Sequence, residues 1–393
     1  MNKKEKSISL YCNWNIYIDS EGNTWLPSVH AQYIKGLKNI NFKKIILLSK
    51  VSNKKGKEHD FYFQKKELEV IPISYFKSYL TSLIKIKSII KTFYLSARKK
   101  TDYCYIRTYE PFIWLLVLMQ KIFSRKTILC MHYISEPKSA IFSNITSSYA
   151  KKLFRYFLFL PEYYLTNIAS VFCKVSSNGP VPIKNTPFFV RRRILEVIES
   201  AILESDLKKL ENKINYDNKS SIASILYVGY IRPSKGINAL INTVELLLED
   251  NIVNFKITII GTGEYLASIK ESIKNKNLVQ YFEFKGYIPF SDKLFYEYIR
   301  SDIFINLSPS ETGPRVLLEA GIFDCFLIST KVGYASRIIK KNGILIDINN
   351  NIQAKDALKE AISFTMTKKN KNINKDLSKH TTENFFRNIL NNK

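Results

Sequence analysis

The sequence lacks the cysteine patterns of disulfide-rich and zinc-binding proteins. Its five cysteines are spread over 393 residues, each inside an apolar run, and none forms a Cys-x-x-Cys pair. Cysteines placed in this way are typical of small buried core residues in a reducing compartment. We therefore expect neither a disulfide nor a zinc site.

Long hydrophobic runs are missing as well. The most apolar stretch, Phe112 to Met119, ends at Gln120 and Lys121, well short of the roughly 18 residues that a membrane span requires. The basic start, Met1 to Lys6, is followed by a segment too short and too polar for a signal peptide. We expect a soluble or peripheral protein.

Acidic residues are scarce compared with basic ones. The chain has 60 Lys and Arg against 34 Asp and Glu, a net charge of +26, and residues 1–190 alone have 30 against 11. A basic N-terminal half indicates an anionic partner such as nucleic acid, a phospholipid surface or a phosphorylated substrate. Compositional drift in a chain rich in Lys, Asn and Ile explains the excess equally well.

Two phosphate-binding motifs are also absent. The chain contains no Asp-x-Asp, which argues against a metal-bridged diphosphate, and no Gly-x-x-x-x-Gly-Lys-Ser/Thr, which excludes a P-loop. We expect the protein to need no cofactor and no metal ion.

The first half has the strand and helix spacing of a parallel α/β domain. Strands are predicted at Ser7–Cys12, Lys44–Ser49, Asp102–Arg107, Thr127–Met131, Ala169–Ser176 and Pro187–Val190. Helices are predicted near Ser28–Leu37, Ser74–Lys100 and Glu110–Phe123. His132 follows the fourth strand at its carboxyl end, where parallel sheets bind ligands, so a structural and a catalytic role both stay open.

Two segments of this half combine basic and apolar side chains. Ser74 to Lys100 places seven Lys and Arg among apolar residues at helical spacing, and Lys151 to Leu160 is basic and then aromatic. Each segment suits the surface of an anionic membrane. Each also fits an ordinary helix, with a solvated face in the first case and a core-facing one in the second.

The second half alternates between strands and helices with short loops. Strands are predicted at Ser224–Tyr230, Phe255–Ile260, Tyr281–Phe284, Asp302–Leu307, Phe326–Ser329 and Gly343–Ile346. Helices are predicted near Ile237–Glu249, Tyr265–Lys274, Asp292–Ile299, Pro314–Phe323 and Ser336–Lys341. The pattern predicts a doubly wound parallel sheet whose ligand crevice lies at the carboxyl ends of the strands. We divide the chain into a domain at 1–190, a linker at 191–221, a domain at 222–370 and a tail helix at 371–393 that can return to the first domain.

A strand-turn-helix unit in this half carries two carboxylates. The strand ending at Leu307 leads into a turn that contains Glu311, and an apolar helix beginning near Pro314 contains Glu319. A helix N-terminus suits a phosphate, and carboxylates beside it can accept hydrogen bonds from sugar hydroxyls. An ordinary strand-turn-helix unit, with Glu311 favouring the helix dipole and Glu319 solvated, is the alternative interpretation.

Three glycine-bearing turns converge on the same edge of this sheet. The turn from Gly229 to Gly236 contains two cations, Arg232 and Lys235, which can grip a pyrophosphate. The other two turns are Ile260–Glu264, with Gly261 and Gly263, and Lys331–Tyr334. Each turn alone is a weak signal, whereas their order and spacing together are specific.

Taken together, these residues resemble the family 4 (group 1) retaining glycosyltransferases of the bacterial surface-polysaccharide type. The resemblance covers Ser224 to Asp347 and rests on the Gly229-to-Gly236 loop, the Gly261–Glu264 turn, Phe284-Lys285-Gly286, the Ser301–Ile305 segment, and Glu311 and Glu319 with seven residues between them. It implies the GT-B fold, two Rossmann-like α/β domains facing a central cleft. The N-terminal half matches only in outline.

The resemblance implies a role for each matching residue. Of the catalytic residues, Lys235 would hold the donor's diphosphate, Glu311 would contact the transferred sugar and His132 would face that sugar. Glu319 would bind the ribose hydroxyls. The full donor-binding set would be Gly229, Arg232, Lys235, Gly261, Gly263, Thr312, Gly313, Pro314 and Glu319.

Three features depart from the family's pattern. Tyr230 stands where an Arg often follows the first glycine of the phosphate loop, and Arg232 comes two places later. The glycine pair and acidic residue expected near Val332-Gly333-Tyr334 are incomplete. The polar, aromatic loop from Trp14 to Pro27 replaces a glycine-rich acceptor loop.

The implied activity is that of a retaining, hexosyltransferase-type enzyme of class EC 2.4. It would move a sugar from a UDP-, GDP- or other nucleotide-diphosphate donor to a glycan or polyprenyl-diphosphate-linked acceptor, as in O-antigen or capsule biosynthesis. An anionic membrane surface would be a further partner, at the inner face of the cytoplasmic membrane. The alternatives are a basic nucleic-acid-binding protein, a sugar-binding pseudoenzyme, a nucleotide-sugar epimerase and a glycoside phosphorylase.

Overall fold

The computed structural model describes residues 5–12, 14–76, 78–142, 148–184, 186–211, 221–367 and 371–391. The chain forms two compact units. Unit 1 comprises Met1–Ala201 and Thr382–Lys393, and unit 2 comprises Ile202–Thr381. Residues 212–220 of the predicted linker and the last two residues of the predicted tail helix lie outside the described residues.

A seven-stranded parallel sheet forms the centre of unit 1. The strands of this unit are β1 (Lys6–Tyr11), β2 (Tyr17–Ile18), β3 (Thr24–Leu26), β4 (Phe42–Lys50), β5 (Phe61–Phe63), β6 (Glu69–Ile73), β7 (Tyr103–Thr108), β8 (Ile128–Tyr133), β9 (Lys174–Asn178) and β10 (Leu195–Val197). The parallel sheet has the order β10-β9-β8-β7-β1-β4-β6, while β2, β3 and β5 form a small antiparallel sheet.

Helices connect and cover these strands. They are α1 (Ser28–Asn39), α2 (Tyr79–Ile84), α3 (Ile86–Arg98), α4 (Ile113–Phe123), α5 (Pro137–Phe142), α6 (Tyr149–Ala169), α7 (Val181–Lys184) and α8 (Phe188–Arg191). Helix α4 packs between α3 and α6, so that these three helices form one layer. The inner sides of α3 and α4 share a hydrophobic core with the sheet.

Some details predicted for the first half were wrong. Pro187–Val190 does not form a strand, because Phe188–Arg191 is a short helix that Pro187 precedes. Ala169 ends a helix rather than beginning a strand, and the strand starts only at Lys174. Two edge strands, β6 and β10, were missed, the latter inside the predicted linker. Short apolar runs do not distinguish strand from helix by periodicity, which explains these errors.

Unit 2 is built around a six-stranded parallel sheet. Its strands are β11 (Ala223–Val228), β12 (Phe255–Ile260), β13 (Phe282–Gly286), β14 (Ile303–Asn306), β15 (Phe326–Thr330) and β16 (Gly343–Ile346), in the order β13-β12-β11-β14-β15-β16. Its helices are α9 (Glu204–Glu211), α10 (Ile237–Glu249), α11 (Leu266–Asn275), α12 (Asp292–Ile299), α13 (Arg315–Ile322), α14 (Ala335–Ile338) and α15 (Asn351–Thr367). The predicted doubly wound sheet is confirmed.

The final helix, α16 (Thr382–Asn391), belongs to unit 1. It packs against α1 and against strands β9 and β10. The Lys174 ammonium donates a hydrogen bond to the Leu390 carbonyl over 3.1 Å, and the Asn39 amide donates one to Glu383 over 2.7 Å. Helix α16 therefore packs beside the parallel sheet of unit 1.

Both sheets carry the same polar clamp at the amino ends of their central strands. In unit 1 the Asp102 carboxylate accepts hydrogen bonds from the backbone N–H and the hydroxyl of Ser7, over 2.8 and 2.6 Å. In unit 2 Asp302 accepts the equivalent pair from Ser224 over the same distances. Each clamp joins the first strand of its sheet to the strand that lies on its other side after the chain crosses back, β1 to β7 in unit 1 and β11 to β14 in unit 2. The clamps help to fix the relative position of those strands.

Within the described residues, no helix combines the length and hydrophobicity needed to cross a membrane.

Candidate functional site

The candidate site lies at the point where the unit 2 sheet changes direction. The chain moves outward from β11 through β12 to β13, and then returns to place β14 on the other side of β11. The loops after β11 and β14 therefore leave the sheet in opposite directions. A crevice opens between such loops at the carboxyl ends of the strands, and this is where doubly wound sheets bind ligands.

Lys235 and Glu311 meet across this switch point. Lys235 follows β11 in a short 3-10 turn, Pro233–Lys235, and Glu311 follows β14. The Lys235 ammonium and the Glu311 carboxylate form an ion pair, and both side chains are mostly buried. The sequence analysis assigned both to one site, and the structure brings them into contact. The pair holds a cation at the place where an anionic ligand of this fold would lie.

Gly236 allows this approach between the two loops. It has a φ of +72°, and a Cβ at this position would lie 2.1 Å from the carbonyl oxygen of Leu307, at the end of β14. Any side chain would therefore push the β11 and β14 loops apart. The glycine that follows Lys235 in the motif serves the close packing of backbone against backbone.

The other predicted glycines hold the first two loops together. A Cβ on Gly261, whose φ is +142°, would lie 1.9 Å from the Gly229 carbonyl oxygen, and one on Gly263 would lie 2.1 Å from that of Ile231. The Ile231 N–H donates to the Thr262 carbonyl over 2.9 Å. These glycines thus have a packing function in this structure, and their contact with a donor stays a prediction.

The Thr312-Gly313-Pro314 turn is held from the side of β15. Gly333 lies so close that a Cβ on it would be 2.5 Å from the Thr312 carbonyl oxygen. Thr312 and Gly313 are half-buried, Pro314 is buried, and helix α13 begins at the next residue. Although the glycine motif at 332–334 is incomplete, Gly333 is the residue in it whose lack of a side chain permits the contact with Thr312.

Glu319 lies inside the protein. Its side chain is only 4% exposed, and it accepts a hydrogen bond from the Tyr298 hydroxyl over 2.8 Å. Burial raises the pKa of Glu319, while nearby Arg315 and the bond from Tyr298 oppose that rise. Its proposed contact with ribose hydroxyls stays a prediction. Tyr298 itself was not foreseen, because its partner is 21 residues away in sequence.

Arg232 and Tyr230 lie at the rim of the site. Both are exposed, and Tyr230 donates a hydrogen bond to Glu264, which lowers the pKa of that carboxyl; Arg232 lowers it further. Arg232 also opposes the rise that burial causes in the pKa of Tyr227. Arg232 lies in the same loop as Lys235 and adds positive potential there. Its replacement of the missing arginine stays a prediction.

His132 belongs to unit 1 and is completely buried. Its Nδ1 lies 2.9 Å from the Ser176 hydroxyl oxygen, and its ring forms a T-shaped contact with that of Phe385 in α16, with centroids 5.2 Å apart. Burial lowers the pKa of His132 to about 3, so the imidazole is neutral. Its predicted place at the end of β8 is confirmed by the strand bounds. Its contact with a donor sugar is untested, and its imidazole has no surface exposure here.

One candidate that the sequence analysis missed is Glu110. It follows β7, which with β1 flanks the switch point of the unit 1 sheet. Burial raises the pKa of Glu110 to about 7, although Lys50 and Arg107 oppose the shift. The sequence analysis took Glu110 as the start of a helix, whereas α4 begins at Ile113. A carboxylate directly after a buried strand was the signal available.

Within the described ranges, no group of three or more His, Cys, Asp and Glu side chains is arranged to hold a metal ion.

The family profile that matches this chain lies within unit 2. The sequence profile of the family Glycosyl transferases group 1 matches residues 209–380. The GPI3 subunit of phosphatidylinositol N-acetylglucosaminyltransferase from Saccharomyces cerevisiae is 24% identical over 194 residues, 49% of this chain and 40% of that protein. Alpha-monoglucosyldiacylglycerol synthase from Streptococcus pneumoniae is 27% identical over 192 residues, 48% of this chain and 42% of that protein. Each match thus spans well under half the length of the curated relative.

Structure comparisons extend over both units. The lipopolysaccharide outer core galactosyltransferase WaaB, in its apo form, superposes with a TM-score of 0.64 at 13% identity, covering 98% of each chain. Anabaena Alr3699/HepE in complex with UDP and glucose has a TM-score of 0.59 at 12% identity, covering 98% of this chain and 99% of that one. At such identities the likeness shows the fold, which is GT-B.

Together the matches support the glycosyltransferase superfamily for this chain. All predicted site residues of unit 2 lie inside the matched segment, residues 209–380. Lys235 and Glu311, which meet at the switch point of the unit 2 sheet, are among them.

Proposed function

We propose that this protein is a retaining glycosyltransferase that takes a sugar from a nucleotide-diphosphate donor. The observation that carries the proposal is the Lys235–Glu311 ion pair at the switch point of the unit 2 sheet. An ammonium group there can bind a diphosphate, and a carboxylate beside it can bind the attached sugar. Glu319, on the helix that follows, would bind the ribose of the same donor.

In the proposed reaction, the bond between the anomeric carbon and the diphosphate oxygen breaks, and the electron pair leaves with the diphosphate. The acceptor hydroxyl forms the new glycosidic bond on the same face, and its proton passes to the departing phosphate oxygen. Lys235 stabilises the negative charge that develops on the leaving group, and Arg232 adds to this potential. We propose that no metal ion and no cofactor takes part.

The Lys235–Glu311 pair also suggests how the donor enters. The two side chains neutralise each other in the ion pair. An arriving diphosphate would compete with Glu311 for the Lys235 ammonium. Glu311 would then be released to accept hydrogen bonds from the hydroxyl groups of the transferred sugar.

We further propose a UDP-sugar donor and a lipid-linked glycan acceptor in bacterial surface-polysaccharide assembly. HepE has been solved with UDP and glucose, and WaaB acts on the lipopolysaccharide outer core. The names of both curated relatives contain a lipid, phosphatidylinositol in one and a diacylglycerol in the other. The positive charge of the first half would hold the protein at the inner face of the cytoplasmic membrane.

The test is transfer from a panel of UDP-, GDP-, ADP-, CMP- and dTDP-sugars to a lipid extract, measured as release of free nucleotide that depends on the acceptor. We expect one nucleotide class to support transfer, with the anomeric configuration retained in the product by NMR. Lys235→Ala should lower kcat by about 10²–10³, the cost of losing one preorganised contact to developing charge. Lys276→Ala, which breaks an exposed ion pair with Glu245 in the same unit, should leave it unchanged.

Other products would point to other activities. Conversion of the donor sugar without an acceptor would indicate an epimerase, and dependence on inorganic phosphate a phosphorylase. Binding of a nucleotide sugar without any turnover would favour the pseudoenzyme. If no nucleotide sugar binds and RNA binds with a steep dependence on salt, the nucleic-acid-binding alternative would replace the proposal.

A further inference from the structure

Helix α6 of unit 1 has its polar and apolar sides reversed. Among its buried residues are Glu162, Thr166 and Asn167, which point into the protein. The Glu162 carboxylate accepts a hydrogen bond from the Trp114 indole N–H over 3.1 Å, and burial raises its pKa to about 7. A helix of a water-exposed surface places such residues outside and its large apolar residues inside.

The outer face of α6 carries large apolar side chains instead. Phe154, Phe157 and Ile168 are 62, 60 and 55% exposed. Tyr149, Leu153, Tyr164 and Leu165 of the same helix are exposed as well. Single exposed apolar residues are common, but a row of this length along one helix marks an interaction surface.

The two neighbouring helices of the same layer bury apolar side chains in the core, but they also bury polar residues and expose apolar ones. In α4 the Gln120 amide is buried and donates to Ser96 of α3 over 3.4 Å, while Leu118 and Ile122 are exposed. In α3 the polar residues Thr92 and Ser96 face inward. Tyr94 of α3 and Phe123 of α4, both exposed, pack against each other with ring centroids 5.1 Å apart. Exposed apolar side chains therefore occur on all three helices of this layer, and those of α3 and α4 are in contact.

The charges on this layer are of one sign. Helices α3, α4 and α6 contain seven basic residues, Lys87, Lys91, Arg98, Lys121, Lys151, Lys152 and Arg155. Their single acidic residue is Glu162, which is buried. The surface that these helices present is thus both apolar and positively charged, with no acidic side chain of its own.

We infer that this layer docks on an anionic lipid bilayer, with the outward aromatic and aliphatic side chains of α6 entering the interface. The apolar side chains would leave water for the boundary between headgroups and acyl chains, while Lys and Arg remain among the anionic headgroups. This goes beyond glycosyl transfer, since it concerns unit 1 and needs no donor. In addition to the electrostatic attraction of the basic first half, it assigns a specific surface whose apolar side chains insert into the bilayer interface.

A second copy of the chain fits this surface less well. In a symmetric dimer the same patch would face itself, so the basic residues of one copy would lie against those of the other. Nucleic acid complements the charge, but nucleic-acid interfaces are strongly polar and would leave the row of Phe, Leu and Ile unused. An anionic membrane is the partner that complements both properties.

The test is flotation of the purified full-length protein with vesicles of phosphatidylglycerol and phosphatidylcholine, or of phosphatidylcholine alone. We expect binding to the anionic vesicles that falls with salt but does not vanish at about 0.5 M, because salt does not screen the apolar contribution. Phe154→Ser with Phe157→Ser should weaken binding at least about tenfold. The control, Val279→Ser with Ile352→Ser, changes two exposed apolar residues of unit 2 and should bind as wild type.

A second measurement reports insertion directly. The Phe154→Trp variant should show blue-shifted fluorescence with anionic vesicles and quenching by brominated lipid chains. Wild-type binding by the double serine variant, or an introduced indole that stays in water on vesicle-bound protein, would overturn the inference. So would a dimer in lipid-free buffer that the serine substitutions dissociate. Circular dichroism would verify that each variant is folded. Nucleotide-sugar binding by the same full-length protein would show whether the proposed function fails independently of the membrane inference.

Discussion

Replacing Glu319 by glutamine should separate the binding of the donor from the stability of unit 2. Glu319 is buried and accepts the Tyr298 hydrogen bond over 2.8 Å. A glutamine has the same shape, and its amide oxygen can accept the same bond. Burial raises the pKa of Glu319, so the ionised carboxylate costs folding free energy at every pH above its unfolded pKa. The ligand-free variant should therefore be at least as stable as wild type at pH 8.

Its response to the donor should be much smaller. A hydrogen bond to a charged group contributes about 1.5–3 kcal/mol, so losing the carboxylate should weaken donor binding about 30-fold. A donor at about 100 times its wild-type Kd adds about 2.7 kcal/mol to wild type, but only about 0.9 kcal/mol to the variant. For a domain of this size, these values correspond to shifts in Tm of about 5–10 °C and about 2–4 °C.

The assay is thermal unfolding of wild type, Glu319→Gln and Glu360→Gln, with and without the nucleotide sugar that binds. Glu360 lies on the exposed side of α15, and its variant should show the full wild-type shift. If Glu319→Gln also keeps the full shift, the carboxylate does not contact the donor and its role is structural. If ligand-free Glu319→Gln melts several degrees lower, the ionised carboxylate stabilises the fold, contrary to the argument above.

Three further predictions concern single residues. Glu311→Gln should bind free nucleoside diphosphate about fivefold more tightly, because Lys235 loses an ion pair worth about 1 kcal/mol that competes with the diphosphate. The rate of sugar transfer should fall. Weaker binding of the diphosphate in isothermal titration would contradict this prediction. Gly261→Ala should destabilise unit 2 by more than about 3 kcal/mol, since its Cβ would overlap the Gly229 carbonyl oxygen in addition to the strain of a positive φ. Gly286→Ala, with φ of +68° but open space, should cost only about 1–2 kcal/mol. Equal losses of unfolding free energy in denaturant would contradict a packing role for Gly261. Glu110→Gln should stabilise unit 1 by up to about 3 kcal/mol at pH 8 and not at pH 4. The pKa of Glu110 is raised from 4.5 to about 7, so the wild-type protein loses stability as pH rises between these values, whereas the glutamine variant does not. A gain in denaturant unfolding that does not depend on pH would contradict this prediction.

Much of unit 2 could be predicted from the sequence. Strands and helices alternate there with short loops, and the strands β12 and β16 and helices α10 and α12 have the predicted bounds. Lys235 and Glu311 could be assigned to one candidate site, because each lies in a turn with glycine or proline that follows a strand. In a parallel sheet, such turns gather at one edge whatever their distance in sequence. Local pattern was therefore enough to bring Lys235 and Glu311 into one hypothesis.

Contacts between distant segments could not be predicted in the same way. Nothing near Glu319 in the sequence indicates that Tyr298 will bond to it, and nothing near Gly236 indicates that it must touch Leu307. The exact placement of α16 beside β9 and β10 in unit 1 is of the same kind. These contacts depend on the order of the strands and the packing of helices on them, which the spacing of residues along one element does not contain.

Helix α6 shows the limit most clearly. Its sequence shows that basic and aromatic residues are combined, which left a core helix and a membrane-facing helix as equal alternatives. Periodicity divides a helix into two faces but does not say which face meets the core. The tertiary structure decides this, since the sheet and α4 take up the side with Glu162, Thr166 and Asn167. Phe154 and Phe157, on the other side of the helix, are therefore left exposed.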